Sequence, residues 1–420
     1  MKVLMFGWEF PPLNSGGLGT ACYGITKSLS KQSIQITFVL PKSQSDISTD
    51  YMRLLFADDK NLKDFSFDGF VLRHIDSLLS PYQTPESYAQ ALKQKAALSI
   101  LGNQNILYGS NMFLEILRYT SAAQNIAGQE EFDVIHCHDW MTFPAGVASR
   151  QVARKKGLKT PLVAHVHATE YDRTGGNPNS LIYQIEKFGM ESSDRIVTVS
   201  NYTKNIIVDK YNISKEKISV VYNAVEKDTN IPKERFNLKD YYKLVLFLGR
   251  VTLQKGPDWF LKAANQVLKK DDSFRFLLVG NGDMYTRVVE EAANLGIADK
   301  VFFTDFLRGY DVDRAYQLAD LYVMPSVSEP FGITPLESIK NGTPVLISKQ
   351  SGVSEVLKNC LVCDFWDTHK MADQIISTLN DKQNLEDLKV KSYQELQKIS
   401  WDASASSLIS IYRNLLDGGI

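Results

Sequence analysis

Short apolar runs that alternate with helical patterns along almost the whole chain constrain the fold more than any other feature of this sequence. KVLMFGW, ITFVLP, FVLRHI, DVIHCH, PLVAHVH, RIVTVS and ISVVYN fall in the first half; KLVLFLG, FRFLLVG, VFFTDF, LYVMPS, PVLIS and CLVCDF fall in the second. A strand with one wet face alternates apolar and polar residues. These runs are apolar on both faces, as strands sandwiched between helical layers must be. Longer amphipathic segments lie between them, among them LGTACYGITKSLSKQ, PDWFLKAANQVLKK and DMYTRVVEEAANLG. The repetition predicts an α/β protein with doubly wound parallel sheets.

A length of 420 residues implies two or three domains with full cores. The polar interval EKDTNIPKERFNLKDYY, residues 226–242, reads as a linker. It divides the chain into a domain over 1–225 and another over 243–402, both Rossmann-like, with a cleft between the carboxyl ends of their strands. The less regular stretch from Tyr51 to Asn111 adds a strand and loop excursion to the first domain.

Bulk properties exclude several classes. Basic and acidic residues number 47 and 48, for a net charge of -1, so no global field draws the chain to nucleic acid or an anionic membrane. Arg150, Arg154, Lys155, Lys156 and Lys159 cluster at the end of a predicted helix closed by Gly157, where cations complement the dipole and a solvated helix end is expected. No run approaches the roughly 20 apolar residues of a membrane span, and the opening MKVLMFGW is too short for a signal peptide. Four cysteines make no disulfide framework; Cys360 and Cys363 form a C-x-x-C without a second pair and read as incidental thiols of a buried strand. A cytoplasmic location is expected.

Chemistry concentrates at strand ends. In SVSEPFGITPLESIKNGTP, residues 326–344, the spacing predicts a capping box with Thr334 as N-cap, Pro335 as first helical residue and Glu337 as third. A helix opening there, just past the strand ADLYVMPS, presents N–H groups to a diphosphate, and Glu329 and Glu337 can accept from sugar or ribose hydroxyls. The plainer alternative is that Glu337 only closes its capping box and Glu329 caps a loop. GRVTLQKG puts Arg250 and Lys255 past another strand end, where they can neutralise a leaving diphosphate. VGNGD offers Gly280 and Gly282 for close approach to a nucleotide. Near the start, Gly16-Gly17-x-Gly19 leads into a helix, with amides available to phosphate or sugar; it is not the G-x-G-x-x-G of dinucleotide folds. Two H-x-H pairs, His136/His138 and His165/His167, end two further strands, each pair on one strand face. Four imidazoles with Asp139 could form the metal site of a hydrolase, although no third ligand cluster follows. The milder alternative has His167 and Asp139 facing the cleft, with His136 and His165 nearer the core.

With these motifs in order, the chain resembles the retaining nucleotide-sugar glycosyltransferases of the GT-B fold, in the glycogen and starch synthase-like branch. The resemblance covers nearly the whole chain and rests on the Gly-Gly loop, HDW, GRVTLQKG and EPFGITPLE. It implies two Rossmann-like domains, with a last helix over about 403–420 crossing back onto the first. It further implies that Arg250 and Lys255 stabilise the donor diphosphate, that Glu329 contacts donor sugar hydroxyls and that Glu337 contacts the ribose. By the same resemblance, amides of Phe331, Gly332, Ile333 and Thr334 hold diphosphate and sugar, and His167 lies near the sugar 6-position. Asp139 and Trp140 would line the donor–acceptor site, and Asn223 matches the Asn of the turn before the linker. The implied reaction needs neither metal nor cofactor. It moves a hexosyl unit, with ADP-glucose or UDP-glucose as donor and an oligo- or polysaccharide as acceptor, as in α-glucan elongation. Asn14 stands where glycogen synthases carry lysine, Thr20 where they carry an acid and Ala224 where glycine is usual. Mannosyl or glucosyl transfer to a glycoconjugate, 2-epimerisation of a nucleotide sugar and sugar-nucleotide binding without turnover are the alternatives.

Overall fold

The computed structural model describes residues 1–11, 16–41, 53–56, 70–74, 112–226 and 242–418. The first sheet contains β1 (Lys2–Phe6), β2 (Gln35–Leu40), β3 (Arg53–Phe56), β4 (Phe70–His74), β5 (Val134–His138), β6 (Leu162–Val166), β7 (Arg195–Thr198) and β8 (Ile218–Val220). The second contains β9 (Lys243–Leu248), β10 (Phe274–Val279), β11 (Val301–Thr304), β12 (Leu321–Met324), β13 (Val345–Ser348) and β14 (Leu361–Cys363). Every pairing in both sheets is parallel. Strands β5, β6, β12 and β13 are buried at every position, which is the origin of their doubly apolar sequences.

The orders are β3-β4-β2-β1-β5-β6-β7-β8 and β11-β10-β9-β12-β13-β14. In each sheet the chain starts inside, builds one side, then crosses to wind outward on the other; on its first side the first sheet takes the edge with β3 before β4 fills the place beside β2. The reversal falls between β1 and β5 in the first sheet and between β9 and β12 in the second. At such a switch point neighbouring loops leave in opposite directions and open a crevice for ligands. The Gly16-Gly17 loop, the HDW segment, the Arg250–Lys255 loop and the SEPFG loop follow β1, β5, β9 and β12. All four chemical motifs therefore emerge at switch points.

The last helix, Trp401–Leu416, starts at Ser400, whose side chain caps the Ala403 N–H at 3.2 Å. It packs against helix Gly17–Lys31 of the first domain. Gly24 makes the seat, because a Cβ there would lie 2.2 Å from the Trp401 ring. Trp401, Ala405, Leu408, Ile409 and Tyr412 share one buried cluster with Ala21, Cys22, Ile25 and Leu29, and this cluster continues to Leu246 and Tyr322 of the second sheet. Most of the expected linker, residues 227–241, lies outside the described residues, as does Asn14.

The basic cluster is not one solvated unit. Arg154, Lys155, Lys156 and Lys159 are exposed, but Arg150 is buried and pairs with Asp194 at 3.1 Å, because it points inward on the helix face that packs on the sheet. Cys360 and Cys363 are free, the second fully buried at the end of β14. Among the described residues, no helix is long and apolar enough to cross a membrane.

Candidate active site

A cavity of about 730 Å³ lies between the two sheets' carboxyl ends. From the second domain it is lined by Arg250, Lys255, Gly280, Glu329, Phe331, Gly332, Ile333, Thr334 and Glu337, and from the first by Gly16, Gly17, His167 and Asn223. Three residues expected at this site are elsewhere. Trp140 is buried in the core beneath the first sheet, Asp139 faces backbone amides, and Gly282 packs on Val251, whose carbonyl oxygen a Cβ at Gly282 would approach to 2.3 Å. Gly282 thus serves the close fit of two loops, and only Gly280 of the pair borders the cavity.

The loops of the second domain bring opposite charges together. Lys255 Nζ lies 2.5 Å from Glu329 Oε2, and Ser326 donates to the same oxygen at 3.1 Å. Arg250 Nη2 donates to Gln254 Oε1 at 3.3 Å, which braces the guanidinium over the cavity. Gly332 has φ +98 and a Cβ there would press within 3.2 Å of Met324 and Glu329, so the turn into the helix requires glycine.

The expected capping box does not form. Helix Thr334–Lys340 begins one residue early, with Ile333 as N-cap and no side-chain cap. Thr334 instead bonds the buried Tyr322 hydroxyl at 2.9 Å, and Tyr316 donates to Glu337 at 3.2 Å. Buried phenols outcompete the local cap because they need partners themselves. Burial raises the Glu337 pKa above the usual carboxylate range, partly opposed by the Tyr316 hydroxyl.

The first domain contributes groups of another kind. Glu9, which the sequence reading passed over, lines the cavity and accepts from the Gly19 N–H at 3.0 Å. Burial pushes it up to about 7, against the Gly19 bond and the nearby Arg250 charge. A Cβ at Gly16 would come 2.9 Å from Glu9 Oε2, so the Gly-Gly loop is shaped by this carboxyl. The acid one residue after a strand-end Trp, in WEFPP, was the available signal. Asn223 is buried, with Oδ1 unpartnered among the described residues.

Asp139 accepts from the His167 N–H at 2.7 Å and lies 3.7 Å from Arg173, so it organises the end of β6 rather than facing ligand. Burial raises it to about 6, opposed by Arg173 and the two amides it binds. Its φ of 62 turns the chain so that the carboxylate reaches across to β6 and Trp140 drops into the core. The H-x-H pairs do come together. His136 Nε2 and His165 Nδ1 are 3.1 Å apart, and His138 Nδ1 and His167 Nε2 are 2.9 Å apart. The rings of each pair on one strand stack, 4.5 Å apart for His136/His138 and 4.1 Å for His165/His167. Burial holds His136, His138 and His165 well below the usual imidazole range and His167 at about 3, so all four are neutral. His138 is as buried as His136 and His165; only His167 reaches the cavity. Asp139 joins neither of the two groups, Cys22/His138/His167 and His136/His138/His165, whose donor atoms lie within 4.8 Å of one another. The five-ligand hydrolase site is therefore not assembled.

Contacts between the domains converge on the SEPFG loop. Ser328 donates to Asp172 at 2.5 Å and meets the Tyr202 hydroxyl at 3.0 Å. Ser200 donates to the Pro330 carbonyl at 2.5 Å. Glu355 accepts from the Asn201 and Tyr202 N–H groups at 2.9 and 2.7 Å, across the same junction.

The starch synthase catalytic domain pattern matches residues 2–218, and that of glycosyl transferases group 1 matches residues 227–395. An uncharacterized glycosyltransferase of Methanocaldococcus jannaschii is 28% identical over 98% of both chains. A D-inositol 3-phosphate glycosyltransferase of Nocardia farcinica is 27% identical over 71% of this chain and 69% of its own length. Among solved structures, the catalytic domain of starch synthase IV from Arabidopsis thaliana, bound to ADP and acarbose, superposes with a TM-score of 0.70 at 17% identity over 99% of both chains. Sucrose-phosphate synthase from Thermosynechococcus elongatus superposes with a TM-score of 0.70 at 16% identity over 100% of both. These similarities establish the two-domain GT-B architecture.

Proposed function

We propose that this chain, which belongs to the glycosyltransferase family of the starch synthase catalytic domain, moves a glucosyl unit from a nucleotide diphosphosugar to a sugar hydroxyl with retention of configuration. The supporting observation is one shared cavity in which Arg250, Lys255, Glu329 and Glu337 of one domain meet His167, Gly16, Gly17 and Asn223 of the other. Arg250 and Lys255 neutralise the diphosphate as charge develops on it, with the amides of Phe331, Gly332, Ile333 and Thr334 beside them. Glu329, held by Lys255 and Ser326, accepts from donor-sugar hydroxyls, and Glu337 accepts from the ribose. Gly280 lets the nucleotide approach the end of β10. His167 contacts the sugar, while Glu9 and Asn223 receive the incoming hydroxyl. The leaving diphosphate takes the acceptor's proton on the face where the new bond forms, so no enzyme nucleophile is assigned. Fixed cations supply the charge that a metal brings elsewhere, and neither metal nor cofactor is part of the proposal. A cytoplasmic setting is, in keeping with four free thiols.

Elongation of an α-glucan is the first choice of reaction. Transfer to a small acceptor is the second, favoured by relatives such as the D-inositol 3-phosphate glycosyltransferase of Nocardia farcinica and an N-acetyl-alpha-D-glucosaminyl L-malate synthase of Bacillus anthracis. The test offers ADP-glucose, UDP-glucose and GDP-mannose with glycogen, maltooligosaccharides, inositol phosphate or malate, and reads the product's anomeric configuration by NMR. Lengthened α-glucan supports the first choice. A β-linked product, or donor epimerised without acceptor, overturns the proposal.

A further inference from the structure

The four histidines at the ends of β5 and β6 form a closed block, and its two ends differ. At one end the Tyr412 hydroxyl, from the last helix, sits 2.5 Å from His136 Nδ1. At the other, His167 borders the cavity. Two of the eight ring nitrogens, His138 Nε2 and His165 Nε2, are buried with no partner among the described residues. Leaving a buried nitrogen unpaired costs its full desolvation, so the block is expected to be completed by something small. His136, His138 and His165 each bring one ring nitrogen within 4.8 Å of the others, and the His138 and His165 rings are 5.3 Å apart, room for one bridging water.

Hydrogen positions follow from connectivity, because a neutral imidazole has one donor and one acceptor nitrogen. Either group could donate, but the buried Tyr412 hydroxyl meets no other acceptor among the described residues, so its proton goes to His136 Nδ1. His136 then carries its own proton on Nε2 and donates to His165 Nδ1. His165 must carry its proton on the orphaned Nε2. A water accepting there can donate onward to His138 Nε2, the other orphan. His138 is thereby protonated on Nδ1 and donates to His167 Nε2. His167 is left with its proton on Nδ1. Each link has one donor and one acceptor, so the links reverse only together, and the Tyr412 end sets the direction of the whole chain.

We propose that Tyr412, His136, His165, one buried water and His138 form a single directional hydrogen-bond chain that fixes His167 as its Nδ1–H form, which is thus a hydrogen-bond donor to the sugar in the cavity. Tyr412 and His138 are positioning residues; neither meets the sugar. The donor role of His167 rests on the glycosyl-transfer reading, but the protonation pattern does not. A metal ion held by Cys22, His138 and His167 is the competing occupant. In that group His138 Nδ1 and His167 Nε2 already pair with each other at 2.9 Å, which leaves each ring one nitrogen to offer a metal.

Nitrogen-15 NMR of the histidine-labelled, substrate-free chain tests the pattern directly. Expected are Nε2–H forms for His136 and His165 and Nδ1–H forms for His138 and His167. Finding His167 as Nε2–H overturns the proposal, as does a stoichiometric metal that survives chelation. With a working donor, His138→Phe should lower kcat roughly tenfold or more with donor KM nearly unchanged, and His138→Gln, which can still donate and accept, should recover part of it. Tyr412→Phe should perturb the His167 nitrogen shifts although no atom of Tyr412 touches that ring. If His138→Gln is no better than His138→Phe while both fold, or the Tyr412→Phe signals match the parent, the chain is not directional and the proposal fails. If the tautomers stand as assigned but no donor is turned over, only the glycosyl-transfer reading falls.

Discussion

The two walls of the cavity solve opposite electrostatic problems. The second domain sets basic groups, Arg250 and Lys255, beside acidic ones, Glu329 and Glu337. The first offers neutral imidazoles and a carboxyl, Glu9, that titrates near neutrality. In the proposed reaction a diphosphate is charged throughout, so its wall needs cations. A sugar hydroxyl is neutral, so its wall can be desolvated and left to short, directed hydrogen bonds. One fold, repeated twice, thus gives two chemistries through what its switch-point loops present.

The largest expected effect breaks the charged wall. Arg250→Ala should lower kcat roughly 100-fold or more, the loss typical of a leaving-group stabiliser; near-parental turnover in a donor-saturated assay would dissolve the contrast. Next, Glu329→Gln keeps the shape but removes the carboxylate facing Lys255, and kcat should fall on the order of tenfold to 100-fold. Glu337→Ala should raise donor KM about tenfold with kcat little changed, the pattern of lost uniform binding; a pure kcat effect would move Glu337 into the chemistry.

The smallest effect probes the neutral wall through stability. A folded carboxyl at about 7 against the ordinary 4.5 binds more protons than the unfolded chain across that interval. Stability then falls as pH rises from 4.5 to about 7, and the cost is fully present above it. Glu9→Gln should therefore raise Tm by a few degrees at pH 8, a gain that vanishes near pH 4. Equal gains at both pH values would mean that burial of the Glu9 charge is not the cause.

Strand positions were legible because burial on both faces leaves a compositional mark that no other element leaves. Arg250, Lys255 and Glu329 were legible because strand ends in parallel sheets must point to one edge, whatever the loops do next. The capping box failed for a different reason. Which residue starts a helix depends on one φ/ψ pair, and Tyr316 and Tyr322, distant in sequence, decided it. Asp139 and Trp140 misled because a single left-handed residue re-aims both side chains. The histidine block needed the β5–β6 register, with His138 opposite His165, and no single strand carries that information.

Ser328, Pro330 and Glu355 are fastened to the first domain by Asp172, Ser200, Tyr202 and the start of helix Asn201–Tyr211. The SEPFG loop is consequently stitched at the spine where the halves meet, like pages sewn along one margin. Phe306 and Arg308 line the same cavity but take no part in these bonds, so the cavity has one sewn margin and one that is not.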